Sequence, residues 1–383
     1  MLYHALCLAD ADANAEVMLV GRLETELPSD VAGHARIRVE PLPARPPRGG
    51  IGREAGRWLA ETARLAGIVV RARPDAVLVQ APPLFPTAFA AILAVRLCGA
   101  RFVVDWHNLG DGLLSLRPGG AGAPAAFLAA LERTLGRGAD AHLAVSSELA
   151  AALPARRDVF GARVFRDRAH ERFRAPSAGA VAAFRAELVS SLGLPFGEPL
   201  LVALSPTSWG RDEDLPQLLA AAPLLEAALS ASVRPVLLLA SGEGEGRSSF
   251  EARSSRCSLA RVAVRTLFVP GDAYPLLVRS ADVGISLHRP ALGLDPPMKV
   301  ADLLAGGVPV LELRDGPAPA SLVVPGSNGE VFCDPASLAA ELVRLASDPA
   351  ALGRLRAGVV REGETFCEAW AAEAGPVLLG GAR

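Results

Sequence analysis

Val283-Gly-Ile-Ser-Leu-His-Arg-Pro-Ala-Leu-Gly-Leu-Asp-Pro-Pro-Met-Lys-Val-Ala-Asp-Leu-Leu-Ala-Gly-Gly-Val-Pro-Val-Leu311 carries the reading of the fold. An apolar run at 283–287 predicts a buried strand. A helical stretch opens near Lys299, Gly306-Gly307 ends it, and a second β-branched run follows at 308–311. Strand, helix, strand is the unit of a parallel sheet. The same alternation extends in both directions. Strands are predicted at 16–20, 36–39, 76–80, 101–105, 141–145 and 163–165, with helices at 53–71, 87–97, 123–137 and 147–153. A second series of strands follows at 200–204, 235–240, 264–269, 283–287, 308–311 and 330–332. Between the two series lies a turn cluster, Leu192-Gly-Leu-Pro-Phe-Gly-Glu-Pro199. The expectation is two doubly wound α/β domains, residues 1–195 and 196–383. Ligands in such sheets bind beyond the carboxyl ends of the strands, so the strand-to-helix loops are where chemistry belongs.

Composition narrows the function. A chain of 383 residues exceeds one ordinary core. A net charge of −2 gives no electrostatic case for nucleic-acid binding. The longest apolar run, 81–95, holds three prolines and is too short to span a bilayer, and the N-terminus does not read as a signal peptide. The cysteines at 7, 98, 257, 333 and 367 form no Cys-x-x-Cys pair. Their scatter predicts free thiols in a reducing compartment, with neither a zinc site nor a disulfide frame.

Lys299 is the only lysine among 39 basic residues. Arginine fills every other basic position, so this one marks a place where a compact ammonium is needed, or else a lysine left by chance on a solvated face. It stands near a helix start, where backbone N–H groups favour a diphosphate. Asp302 follows one turn later, placed to meet ribose hydroxyls.

Four other loops stand out. Val103-Val-Asp-Trp-His-Asn-Leu-Gly110 follows a buried strand, and either Asp105 or His107 could serve as a general base. A cap at Asp105 and a backbone bond at His107 explain the same residues equally well. Thr207-Ser-Trp-Gly-Arg-Asp212 offers small hydroxyls and glycine for an anion, or an ordinary helix cap. Ala240-Ser-Gly-Glu-Gly-Glu-Gly246 is glycine-rich but matches no phosphate fingerprint, and reads by default as a flexible loop. His288 closes a strand at a position where a ligand would lie, or serves a structural role.

Together these segments resemble the chitobiosyldiphosphodolichol β-mannosyltransferases. The matching stretches are Tyr3-His-Ala-Leu, Gln80-Ala-Pro-Pro, Asp105-Trp-His-Asn, Thr207-Ser-Trp with Asp212-Glu-Asp, Asp272-Ala-Tyr-Pro-Leu-Leu, Ser280-Ala-Asp-Val-Gly-Ile-Ser-Leu-His, Gly293-Leu-Asp with Pro297-Met-Lys, and Asn328-Gly. They run in the family's order over nearly the whole chain. The Trp-His-Asn and Pro-Met-Lys segments are the specific ones.

The resemblance implies a GT-B glycosyltransferase. Its C-terminal domain would hold GDP-mannose through Thr207, Ser208, Trp209, His288, Gly293, Leu294, Asp295, Met298, Lys299 and Asp302. Its N-terminal domain would receive a glycan or lipid-linked acceptor, with Asp105 or His107 as base and the reaction in the cleft between the domains. A β product from an α-linked donor implies inversion. Related retaining enzymes carry two glutamates eight residues apart; here Asp302 takes the second position and Leu294 the first, which agrees with inversion. No metal and no cofactor are expected. The expected location is cytoplasmic, with peripheral contact on the cytoplasmic face of a membrane. The family's opening strand and Gly-Asp-x-Gly-Arg-Ser-Pro-Arg-Met loop have no counterpart before Met1-Leu-Tyr-His, and the eukaryotic members' membrane anchor has none either. Two neighbouring strands are therefore expected to lack their partner, and a start codon upstream of Met1 is expected. The alternative is a sugar-nucleotide-binding protein of the same fold, impaired in catalysis. A dinucleotide-dependent oxidoreductase has little support, because no Gly-x-Gly-x-x-Gly follows a strand.

Overall fold

The computed structural model describes residues 1–23, 25–43, 51–82, 87–166, 168, 170–257, 259–289, 292–294, 296–314, 321–359 and 365–380, without the side chains of 51, 52, 54 and 55. The chain forms two compact units. One comprises Met1–Asp167, Ala291–Pro296 and Phe366–Arg383; the other comprises Arg168–Pro290 and Pro297–Thr365.

In the first unit β1 (Val17–Arg22) and β2 (Ile37–Leu42) make a two-stranded parallel sheet. A separate parallel sheet runs in the order β3 (Ala76–Ala81), β4 (Arg101–Trp106), β5 (Ala141–Ala144), β6 (Arg163–Val164). Among the described strands, β1 pairs only with β2, and β3 only with β4. Burial follows the pairing. Along β4 every residue after Arg101 is buried, whereas β1 is half-buried along its whole length.

The second unit holds one six-stranded parallel sheet. Its strands are β7 (Leu201–Pro206), β8 (Val236–Ser241), β9 (Val262–Leu267), β10 (Val283–Ser286), β11 (Val310–Leu313) and β12 (Gly329–Phe332), in the order β12-β11-β10-β7-β8-β9. Strands 7, 8, 10 and 11 are buried at every residue. Helices cover both faces of such a sheet, which is why these strands read as unbroken apolar runs. The strand order reverses between β7 and β10. Ligand crevices form at that switch point, beyond the carboxyl ends of the two strands. The loops after β7 and β10 are the ones that carry Thr207–Trp209 and His288–Lys299.

Eleven of the twelve strands lie within two residues of where hydrophobic patterning put them, and β2 runs three residues past its expected end. The units, however, do not divide at 195/196. The helix Ala178–Ser191 belongs to the second unit, where it packs on the helix Tyr274–Ser280. Arg185 on that helix donates to Asp282 at 3.0 Å and to the Ser280 and Leu200 carbonyls. The 192–199 turn cluster therefore turns the chain back into its own unit. The chain's last helices, Phe366–Ala369, Trp370–Ala374 and Gly375–Leu379, return to the first unit. There Phe366 and Trp370 share a buried cluster with Val103, Leu143 and Phe165. Arg101 Nε donates to the Val377 carbonyl at 3.0 Å.

The cysteine reading is corrected here. Cys7 and Cys367 form a disulfide, with Cα atoms 5.2 Å apart at a sequence separation of 360. Local spacing cannot show a pair made by the return of the chain's far end. The argument from free thiols to a reducing compartment therefore falls. Cys98, Cys257 and Cys333 are free.

The disulfide joins the opening helix Leu2–Ala11 to Phe366–Ala369, the first of the closing helices. Cys7→Ser should lower the stability of the oxidised protein by about 2–4 kcal/mol, through lost constraint on the unfolded chain. Urea unfolding read from tryptophan fluorescence measures this, and a curve coincident with the unsubstituted protein's would contradict it.

Candidate functional site

The loop after β7 has an unusual local structure. Thr207 N–H donates to the Ser241 carbonyl at 2.8 Å, which carries the sheet one residue beyond the strand. Trp209 then adopts a left-handed conformation, with φ at +58°. Non-glycine residues take this conformation only where their surroundings enforce it. The indole is buried, stacks edge-on against Phe250 at 5.3 Å, and donates from Nε1 to the Gly242 carbonyl at 2.9 Å. The glycine-rich loop supplies the space. A Cβ at Gly242 would lie 1.8 Å from the Thr207 carbonyl oxygen, and one at Gly244 would lie 2.3 Å from that of Ser208. These glycines serve close backbone packing against the Thr207–Trp209 loop.

The turn at Trp209 directs polar groups onto one carboxylate. Glu213 Oε2 accepts from Thr207 Oγ1 at 2.7 Å, Ser208 N–H at 2.9 Å, Ser208 Oγ at 3.1 Å and Gly210 N–H at 3.4 Å. Its Oε1 is bonded to Lys299 Nζ, which also lies 3.5 Å from Ser208 Oγ. Burial would raise the Glu213 carboxyl, but Lys299, Thr207 and the Ser208 N–H outweigh it and hold the group below the usual glutamate range. A nest of N–H and O–H donors beside a cation is an anion seat.

The backbone fixes this arrangement. Glu213 and His288 form an antiparallel bridge. Asp214 N–H donates to the Leu287 carbonyl at 2.9 Å, and Arg289 N–H to that of Asp212 at 2.7 Å. His288 is thereby brought to the seat's edge, with Nδ1 3.7 Å from Asp212. Pro297 caps the helix Met298–Ala305, whose first turn presents Lys299, and Gly307 ends it at φ +78°. Asp302, one turn along, accepts from Tyr274 OH at 3.5 Å.

The structure thus gathers Thr207, Ser208, His288, Lys299 and Asp302 in the second unit, with the Trp209 side chain turned inward as an anchor. Met298 is exposed at the helix start. Gly293 and Leu294 group with the first unit, where the Leu294 carbonyl accepts from Ser146 Oγ at 2.6 Å. Asp295 lies outside the described residues.

The first unit has its own titratable cluster at the end of β4. Asp105 is only 1% exposed, and its Oδ2 lies 2.7 Å from His107 Nε2 and 3.3 Å from His4 Nε2. Trp370 Nε1 donates to His4 Nδ1 at 2.9 Å, so Nε2 is the His4 nitrogen that carries hydrogen toward Asp105. Burial would raise the Asp105 carboxyl, but His107 and His4 hold it far below the aspartate range. Asp105 is therefore an ionised acceptor. His107 keeps its Nε2 on Asp105. The next stretch of loop is tied down from below. Gly110 N–H donates to both oxygens of Glu132, at 3.1 and 3.2 Å, and buried Arg157 bonds Glu132 and Asp111. A Cβ at residue 110 would meet Glu132 Oε1 at 2.3 Å.

Sequence reasoning missed Glu213 and His4 as members of these clusters. Both lay inside quoted segments, Asp212-Glu-Asp and Tyr3-His-Ala-Leu, yet spacing alone does not tell which of three consecutive acids turns inward.

The chain matches a family model described as a glycosyl transferase 4-like domain over residues 3–166. It is 30% identical to the chitobiosyldiphosphodolichol beta-mannosyltransferase of Eremothecium gossypii, over 86% of this chain and 72% of that one. It is also 30% identical to the UDP-glycosyltransferase TURAN of Arabidopsis thaliana, over 78% and 74%. Among solved structures it resembles Anabaena HepE in complex with UDP-glucose, with a TM-score of 0.63 at 17% identity over 93% and 89% of the two chains. It resembles an α,α-trehalose-phosphate synthase from Burkholderia xenovorans with a TM-score of 0.65 at 13% identity, over 96% and 93%. These likenesses establish the GT-B fold.

Asp105 and Glu213 are both depressed in the folded state. Each contributes stability that is fully present above its unfolded value, 3.8 and 4.5 respectively, and is lost as the pH falls through the folded one. Glu213→Gln should therefore flatten the decline in unfolding free energy below pH 4.5. Urea unfolding at stepped pH measures the slope, and identical slopes in the two proteins would contradict the assignment.

Proposed function

Because this chain belongs to the chitobiosyldiphosphodolichol beta-mannosyltransferase family, we propose that it moves mannose from GDP-mannose to a hydroxyl of a glycan or lipid-linked acceptor, forming a β linkage. The chain is a glycosyltransferase of the GT-B fold. The observation that carries the donor reading is the convergence of Thr207, Ser208, Gly210 and Lys299 on one anion position at the switch point of the second sheet. The donor's diphosphate takes that position, with the N-terminus of the helix Met298–Ala305 beneath it. Asp302 meets the ribose hydroxyls.

Transfer proceeds as one displacement. The acceptor oxygen attacks the anomeric carbon from the face opposite the nucleotide, and the bond from that carbon to the phosphate oxygen breaks. The electron pair leaves with GDP. The acceptor's proton passes to the His107 imidazole, and Asp105 stabilises the imidazolium that results. Lys299 and the loop N–H groups stabilise charge on the departing phosphate, the largest electrostatic demand of the step. A lipid-linked acceptor places the reaction at a membrane surface, so peripheral contact on its cytoplasmic face belongs to the same proposal. Among the described residues, no helix is long and apolar enough to cross a membrane.

Calorimetric titration with GDP-mannose and with UDP-glucose tests the donor, since one similar protein is named for UDP. Binding of GDP-mannose is expected, and a preference for the UDP-sugar or no binding at all would sink the reading. Lys299→Ala should lower turnover roughly 100- to 1,000-fold, as loss of a donor to developing negative charge does. Lys299→Arg should also impair it. Unchanged kinetics in both variants would return Lys299 to a solvated face.

His107→Ala should lower transfer by about two to four orders of magnitude while GDP binding persists. Full transfer by this variant would place the base elsewhere.

A further inference from the structure

We propose that Glu213 is a specificity-determining residue: its carboxylate fills the anion seat as a built-in competitor, which a diphosphate displaces and a lone phosphate does not. The inference rests on the donor reading above.

Four groups that could hold a phosphate oxygen, Thr207 Oγ1, Ser208 N–H, Ser208 Oγ and Gly210 N–H, are directed at Glu213 Oε2, and Lys299 Nζ at Oε1. The two flanking acids are engaged elsewhere. Asp212 lies beside His288, and Asp214 accepts from Arg289 at 2.9 Å and Gln217 at 3.1 Å. Only Glu213 turns into the seat, where its side chain is 8% exposed. A second anion beside a buried carboxylate meets like charge in a poorly screened place. An incoming phosphate must therefore take these donors from Glu213.

The geometry allows that exchange by side-chain rotation. Residues 212–214 are held by their pairing with 287–289, so the backbone that shapes the nest remains in place when the carboxylate swings out. Lys299 Nζ has three hydrogens on a flexible stem and a side chain 34% exposed, so it can pass from carboxylate to phosphate. An intramolecular competitor acts at a high effective concentration. A single phosphate offers little more than the carboxylate already provides. A diphosphate reaches the nest, Lys299 and the helix N-terminus together, and so displaces it. Selectivity arises from the penalty imposed on the weaker anion.

The test uses the full chain and Glu213→Gln, which keeps the side chain's length but removes its charge. GDP-mannose affinity is measured by calorimetry, with and without sodium phosphate. The variant should bind GDP-mannose about tenfold more tightly, and phosphate should compete in the variant far better than in the unsubstituted protein. Weaker donor binding by the variant would overturn the proposal and make Glu213 a permanent tie for Lys299. If the variant does not fold, a crystal structure of the unsubstituted protein with GDP decides. The expected result is Ser208 N–H and Lys299 on phosphate, with the Glu213 carboxylate outside the nest; GDP bound while Glu213 still accepts from Ser208 would overturn it. Binding of UDP-sugars alone, tightened by the substitution, would leave this inference standing and remove the GDP-mannose assignment. No binding of either nucleotide sugar by either protein would remove both.

Discussion

A carboxylate removed from water stays ionised only if its surroundings replace the water's hydrogen bonds. Glu213 meets that condition with neighbours drawn from the loop after β7 and the helix beyond β10. Much of the second unit's local structure follows from it. Trp209 must turn left-handed for the N–H groups on either side of it to point at one place. Gly242 and Gly244 must lack side chains so that the backbone bearing Thr207 and Ser208 can come close. The bridge between Glu213 and His288 joins the two strand ends that flank the switch point. A constraint on one buried charge thus accounts for a strained residue, a glycine-rich loop and an irregular extension of the sheet.

Hydrophobic patterning made the sheets legible. Runs such as 201–206 and 236–241 are apolar because helices cover both faces, and a buried run reads plainly as a strand. The position of Lys299 near a helix start was legible too, in the helical stretch that opens there and ends at Gly306-Gly307. What stayed hidden was long-range. The 192–199 turn cluster has a linker's composition, but Arg185 reaches across it to Asp282 and binds the preceding helix to the second unit. The union of Cys7 with Cys367, and of His4 with Trp370, depends on the chain's end returning to its beginning. No local period records such a return. Glu213 was hidden for another reason: three acids in a row have the same composition whichever of them faces inward.

The first unit uses the same chemistry to a different end. Asp105 closes a buried strand, and two imidazoles compensate its charge. Sequence left Asp105 and His107 as equal candidates for the base. A carboxylate held this far below its ordinary range is a poor proton acceptor, which is why the proposed transfer assigns the proton to the imidazole. Glu132 and Arg157 hold the following turn at Gly110. Removing one partner of such a buried pair costs about 3–5 kcal/mol, so the loop is anchored by an interaction that is expensive to break.

The single lysine follows from the same geometry. A guanidinium is planar and is best satisfied by two acceptors lying in its plane. At residue 299 the acceptor is one oxygen of a carboxylate whose other oxygen already receives four donors, with Ser208 Oγ 3.5 Å away as a second neighbour. A compact ammonium meets these at whatever angle the loop imposes. It can turn to a new partner about its own stem without rebuilding the nest. The composition that replaces lysine with arginine at every other basic position would, on this account, stop at the one where the cation must be small and must change partners.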